Sequence, residues 1–134
     1  MTKGILKILS ITTLVSLTAC TSHPTFQEVM SADYGPFPEN YESLVKDFYS
    51  QALKDPSSVV YQKITEPETR YFGNKMGERD FGWLVCARRN AKNSFGAYTG
   101  FSNDGFLIKN GRITKYLKGG EWWVTDVCTE IIHR

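Results

Sequence analysis

Pro56 divides the chain into two regimes of hydrophobic spacing, and that division limits the fold more than any other feature. Before it, Tyr41, Leu44, Val45, Phe48, Tyr49 and Ala52 follow the i, i+3, i+4, i+7, i+8, i+11 spacing of one helical face. Asn40 stands where a cap belongs, Pro36 and Pro38 precede it, and Glu39 and Glu42 suit the positive end of a helix dipole, as Lys54 suits the negative end. Pro56 disfavours helical geometry at Asp55, so the helix is expected to stop near Lys54.

Beyond Pro56 the spacing becomes that of strands. Ser58 to Thr65 is β-branched and aromatic. The following polar stretch, with Pro67, Gly73 and Gly77, reads as a long loop holding a short strand at Arg70 to Phe72. In Phe81 to Arg89 the residues Phe81, Trp83, Val85 and Ala87 alternate with Leu84 and Cys86, which predicts a strand buried over most of its length. Further strands are expected at Ala97 to Ser102, Phe106 to Lys109, Arg112 to Leu117 and Trp122 to Cys128. Asn103-Asp104-Gly105 reads as a turn, and Asn110-Gly111 as a hairpin turn, because both central positions of a type I′ turn need positive φ. The expected fold is α+β: one N-terminal amphipathic helix packed on a mostly antiparallel sheet of about five strands.

The opening segment, MTKGILKILSITTLVSLTAC, carries Lys3 and Lys7 and then an uncharged run from Ile8 to Ala19. That run is too short to span a bilayer, which takes roughly 20 apolar residues. Leu17-Thr18-Ala19-Cys20 resembles the lipobox of bacterial lipoproteins, in which the cysteine sulfur is acylated and the chain is cut just before it. The resemblance implies a signal peptide over 1–19, a lipidated tether over 20–35 and a periplasmic domain over 36–134. Several acyl chains anchor stably where one is marginal. Thr21, standing where an Asp would retain the protein at the inner membrane, implies the periplasmic face of the outer membrane.

Lys3 and Lys7 account for the whole formal charge of +2, so the chain after the signal is neutral and gives no support to nucleic-acid binding. The remaining cysteines, Cys86 and Cys128, read first as a disulfide in an oxidising compartment, with two free thiols as the alternative. A metal pair is disfavoured, since there is no CxxC and no neighbouring histidine. His23 falls in the tether and His133 is penultimate, which leaves a Ser-His or Cys-His catalytic arrangement without a rigidly held base. No phosphate-binding or zinc spacing occurs. The sequence thus predicts neither an enzyme nor a resident cofactor or metal.

One stretch remains unexplained by packing. Residues 90–101, NAKNSFGAYTGF, combine amides, small residues and aromatics, and read either as a binding loop or as a difficult turn. Asn90, Lys92, Asn93, Ser94, Phe95 and Tyr98 are the candidate contact residues, with Lys92 and the amides exposed and Phe95 or Tyr98 anchoring the loop inward. Trp122 and Trp123 join them, because neighbours on a strand face opposite ways and one must look outward.

LKDPSS at 53–58 and VCARRNAKNSFGAYTGF at 85–101 together resemble a family of small exported bacterial proteins, many of them lipoproteins, marked by LKDPxS and, after a cysteine, NAKNSFGGYTGF. The resemblance gives Asn90, Lys92, Asn93, Ser94, Gly96, Tyr98 and Gly100 the status of motif residues and implies no activity. Arg88-Arg89 and Ala97 depart from the pattern, and Ala97 argues against any role needing positive φ there. The functional expectation is a lipid-anchored, non-enzymatic domain that binds an envelope protein or cell-wall glycan. The alternative is an inhibitor of a cell-wall hydrolase such as lysozyme.

Overall fold

A computed structural model describes residues 23–73 and 76–134 of the chain, so Cys20 and the export segment lie outside the described residues. The strand-like run around Val85 becomes the middle of β3 (Arg79–Asn90), the longest strand of an antiparallel five-stranded sheet. On one side β3 pairs with β2 (Glu68–Gly73) along its first half and with β1 (Val60–Ile64) at its end. On the other side lies β4 (Ser102–Lys109), followed by β5 (Arg112–Leu117). The α+β class and the mostly antiparallel five-stranded sheet agree with the sequence reading. Asn110 and Gly111, at φ 52° and 71°, make the tight turn between β4 and β5.

Strand alternation sends β3 and β4 side chains to two separate cores. Val85, Ala87, Phe106 and Ile108 face the helix α2 (Tyr41–Ala52), which buries Val45 and Tyr49 against them. Phe48 meets the Phe106 ring edge-on at 5.2 Å, and Leu53 ends the helix by donating its N–H to the Tyr49 carbonyl. Leu84, Cys86 and Leu107 face the opposite way, towards Ile131 and Ile132 of α3 (Thr129–His133). Both faces of the central strands are therefore covered, which explains why Leu84 to Ala87 read as continuously apolar.

Three expectations are corrected. Asn103-Asp104-Gly105 is not a turn but lies within β4, paired with Cys86, Ala87 and Arg88. Asp104 tolerates that place because its carboxylate is satisfied inside the protein. Gly105 fits there closely, since a Cβ would stand 3.0 Å from Leu117 Cδ1 and 3.1 Å from Cys128 Sγ, tighter than ordinary packing. Ala97 to Phe101 is not a strand, and its only ladder contact is an isolated bridge between Lys92 and Tyr98. Trp122 to Cys128 is not the last strand of the sheet. It runs from the end of β6 (Glu121–Trp122) through the turn and β7 (Thr125–Asp126) of a small hairpin that packs on the sheet face opposite α2 and leads into α3.

The disulfide expected between Cys86 and Cys128 is present, with Cα atoms 5.6 Å apart across 42 positions of sequence. It ties α3 to the centre of β3. Gly120 makes room for it, since a Cβ there would lie 2.6 Å from Cys128 Cβ.

Within the stretch read as a tether, Phe26–Ser31 forms a short helix, α1. A capping box starts it: Thr25 Oγ1 accepts the Glu28 N–H, and Glu28 accepts the Thr25 N–H at 2.7 Å.

Candidate functional site

The loop from Asn90 to Phe101 is shaped from within by its own amides. Asn93 Oδ1 accepts the N–H groups of Phe95 at 2.9 Å and Ala97 at 3.1 Å, and the Asn93 N–H donates to the Ala97 carbonyl at 2.9 Å. Asn90 Oδ1 accepts the Gly100 N–H at 3.1 Å and so closes the base of the loop. Gly96 and Gly100 take φ of 79° and 98°, whereas Ala97 is not among the residues with positive φ. Ala97 is thus accommodated without backbone strain.

The loop is then fastened to a second motif. Asp55-Pro56-Ser57-Ser58 forms a single 3-10 turn in which Ser58 Oγ donates to the Asp55 carbonyl at 2.8 Å. The same Oγ accepts the Lys92 N–H at 3.1 Å, and the Ser58 carbonyl accepts the Tyr98 hydroxyl at 3.0 Å. Lys92 Nζ sits 5.5 Å from the centre of the Tyr98 ring. The two sequence motifs, 53–58 and 90–101, therefore meet in space and hold each other. Buried Ser58 is the contact that residue-by-residue reasoning did not single out.

What this frame presents is a ring. Of Phe95 and Tyr98, either of which was expected to anchor the loop inward, Phe95 is 93% exposed, and Ser94 beside it is exposed as well. Tyr98 is the anchor, through its hydroxyl, while the face of its ring stays half open. Phe101 is also exposed, with the Arg88 guanidinium 5.4 Å over its ring. The arrangement offers an aromatic contact surface on a loop whose shape is set by the side-chain oxygens of Asn90 and Asn93.

Trp122 and Trp123 do not belong to this surface. The Trp122 ring packs on Phe72 at 5.3 Å and its Nε1–H donates to the Gly73 carbonyl at 3.2 Å. Phe72 and Gly73 pair with Asp80 and Arg79, at the start of β3, whereas the loop leaves the end of that strand. Trp123 is half-exposed at the turn of the β6–β7 hairpin, at φ 61°.

A polar cluster that the sequence did not reveal lies under α2. Asp104 is only 1% exposed, and one carboxylate oxygen accepts the Tyr49 hydroxyl at 2.6 Å and the Arg89 Nε and Nη2 groups at 3.1 and 2.8 Å. The other oxygen accepts the Gly119 N–H at 2.9 Å. Burial first, and then the Asp104 charge, push the Tyr49 hydroxyl far above the ordinary tyrosine range. Burial opposes the Arg89 charge, but the hydrogen bond with Tyr49 and the nearby Asp104 carboxylate outweigh it and hold the guanidinium protonated. With Asp104 accepting at both oxygens and the helix overhead, the cluster joins α2 to the sheet. His23 and His133 are both exposed at the ends of the described chain. Among the described residues no group of three or more His, Cys, Asp or Glu side chains is placed to hold a metal.

No family model, curated protein or solved structure matches this chain.

Proposed function

We propose that this chain is a lipoprotein anchored through Cys20 at the periplasmic face of the outer membrane, whose small domain binds another envelope component without catalysing a reaction. The observation that carries the binding reading is Phe95: a large apolar ring held in water, on a loop whose shape the side-chain oxygens of Asn90 and Asn93 fix from within. Exposed aromatic side chains on rigid supports are the usual anchors of binding energy, since they lose little conformational freedom when covered. Tyr98 and Phe101 extend the same surface. The partner class is an envelope protein or a cell-wall glycan, both of which present flat apolar patches that an aromatic ring can cover.

The test is crosslinking in living cells from a photoreactive residue at Ser94, alongside sedimentation of the purified protein with peptidoglycan sacculi. Protein adducts abolished by Phe95→Ala assign a protein partner, and co-sedimentation abolished by the same change assigns a glycan. Behaviour of Phe95→Ala indistinguishable from the parent in both assays removes the loop from the reading. The hydrolase-inhibitor alternative is tested separately, by whether a large molar excess of the domain slows lysozyme.

A further inference from the structure

The end of the molecule opposite the loop is also apolar. Arg79 begins β3 and Asn90 ends it, and at about 3.3 Å per residue its 12 residues separate these ends by roughly 35 to 40 Å. Three separate segments bring exposed hydrophobic side chains to the Arg79 end. The first is α1, where Phe26 and Met30 are 81% and 69% exposed. Four apart, they share one helix face. Contacts on the rest of the helix hold that face outward: Glu28 pairs with Arg79 at 3.5 Å, and the Val29 carbonyl accepts the Tyr34 hydroxyl at 3.0 Å.

The second is the turn between β2 and β3, where Met76 is 86% exposed; its neighbour Gly77 lines the same cavity, about 430 Å³, as Glu28 and Ser31 of α1. The third is the turn of the β6–β7 hairpin. That hairpin runs from Gly120, beside Asn103, to Trp122, beside Gly73, so its tip points towards the Arg79 end. The tip carries half-exposed Trp123 and Val124, which is 99% exposed. Three carboxylates at this end are each paired with a base, Glu28 with Arg79, Asp33 with Lys109 and Asp80 with Lys115, which lowers the negative charge that this end brings to anionic headgroups.

We infer that this end is a membrane-docking surface and that its occupant is the leaflet holding the Cys20 lipid. Only six positions separate Cys20 from Phe26, a reach of at most about 20 Å, so an acylated Cys20 keeps α1 at the headgroup level. A few apolar side chains bind a bilayer weakly from solution, but a lipid tether makes their insertion intramolecular and hence favourable. Trp is at home at that depth. The domain then stands with Phe26, Met30, Met76, Trp123 and Val124 in the interface and Phe95 held away from it, facing the periplasm. The inference rests on the lipoprotein reading for its occupant, while the surface itself is independent of it.

The experiment uses the full chain, processed in cells and reconstituted into vesicles of phosphatidylethanolamine and phosphatidylglycerol, with a photoreactive residue at Phe26, Met30, Val124 or Phe95. Lipid adducts several-fold more abundant from the first three positions than from Phe95 are expected. Equal adducts from all four, or protein adducts from the first three in place of lipid, overturn the docking surface. The mass of the peptide bearing Cys20, read from the same sample, separates the two ideas. An unmodified Cys20 with the expected adduct pattern removes the anchor and keeps the surface, whereas an acylated Cys20 without that pattern does the reverse.

Discussion

On one face of the sheet, α2 lowers Tyr49 onto Asp104 and Arg89; on the other, α3 is stitched to the centre of β3 by Cys86–Cys128. The strands between are the same, yet the two faces are fastened by different chemistry. The α2 face combines rings with one buried carboxylate that has no unsatisfied oxygen, and it depends on proton and charge balance. The α3 face has a helix of only five residues, too short to hold itself by propensity or area, and it depends on a covalent bond. The difference teaches where each cover gets its stability: a long amphipathic helix supplies its own contacts, whereas a short terminal one borrows constraint from the unfolded state.

Replacing both cysteines, Cys86→Ala with Cys128→Ala, is expected to give the largest effect, about 4 kcal/mol in the chain-entropy account of a 42-residue separation. The measurement is chemical denaturation, and hydrogen exchange locates the loss. Faster exchange in Thr129–His133 with unchanged protection in Tyr41–Ala52 keeps the two faces distinct. Equal loss of protection in both helices breaks the comparison, because it makes the bridge a support for the whole sheet.

Asp104→Ala probes the other face. Removing the carboxylate strands the Arg89 charge and the Tyr49 hydroxyl, and breaking a buried pair in this way costs about 3 to 5 kcal/mol. The Arg89 side chain keeps 15% exposure, enough for water to reach its head, so the lower end, about 3 kcal/mol, is expected. Here exchange should rise in Tyr41–Ala52 while the disulfide stays formed.

How far the sequence foretold these two faces depends on how many residues each signal spans. Residues 41–52 carry a stripe several turns long, and Phe81 to Arg89 a run of alternating apolar residues, so periodicity is readable in both. The pairing of Cys86 with Cys128 followed from an even count. Asp104 was misread because Asn-Asp-Gly has turn composition, and composition is local, whereas the partners that make a strand position tolerable, Tyr49 and Arg89, are distant in sequence. The C-terminal cover was misread for a different reason. Its strands have two residues each and its helix five, too few for any period to declare itself. The short α1 was passed over within the tether reading, although Thr25 and Glu28 carry the spacing of a capping box. At the loop, the density of amides, small residues and aromatics marked Asn90, Asn93 and Tyr98, but which of Phe95 and Tyr98 turned inward rested on Ser58, some forty positions away in the chain.

The smallest effect is the most diagnostic of the charge-dependent face. Tyr49→Phe removes one hydrogen bond to a carboxylate that still has Arg89 and Gly119, so about 1 to 2 kcal/mol is expected at neutral pH. Its signature lies at alkaline pH. In the folded protein burial raises the hydroxyls of Tyr49, Tyr61 and Tyr116, with the Asp104 charge adding to the effect at Tyr49 and Tyr116. In the unfolded chain each tyrosine releases its proton near pH 10. Between those values the folded state binds more protons than the unfolded one, so stability is fully present below about pH 10 and falls as pH rises above it. Tyr49 is the most deeply buried of the three, and its hydroxyl donates to Asp104 at 2.6 Å, so Tyr49→Phe should make that alkaline fall shallower even though it lowers stability at pH 7. The two denaturation curves, plotted against pH, should therefore converge above pH 10. Parallel curves would mean that Tyr49 ionises as readily in the folded protein as in the unfolded chain, and the α2 face would then owe its hold to ring packing alone, with no proton linkage to set it apart from the bridged face.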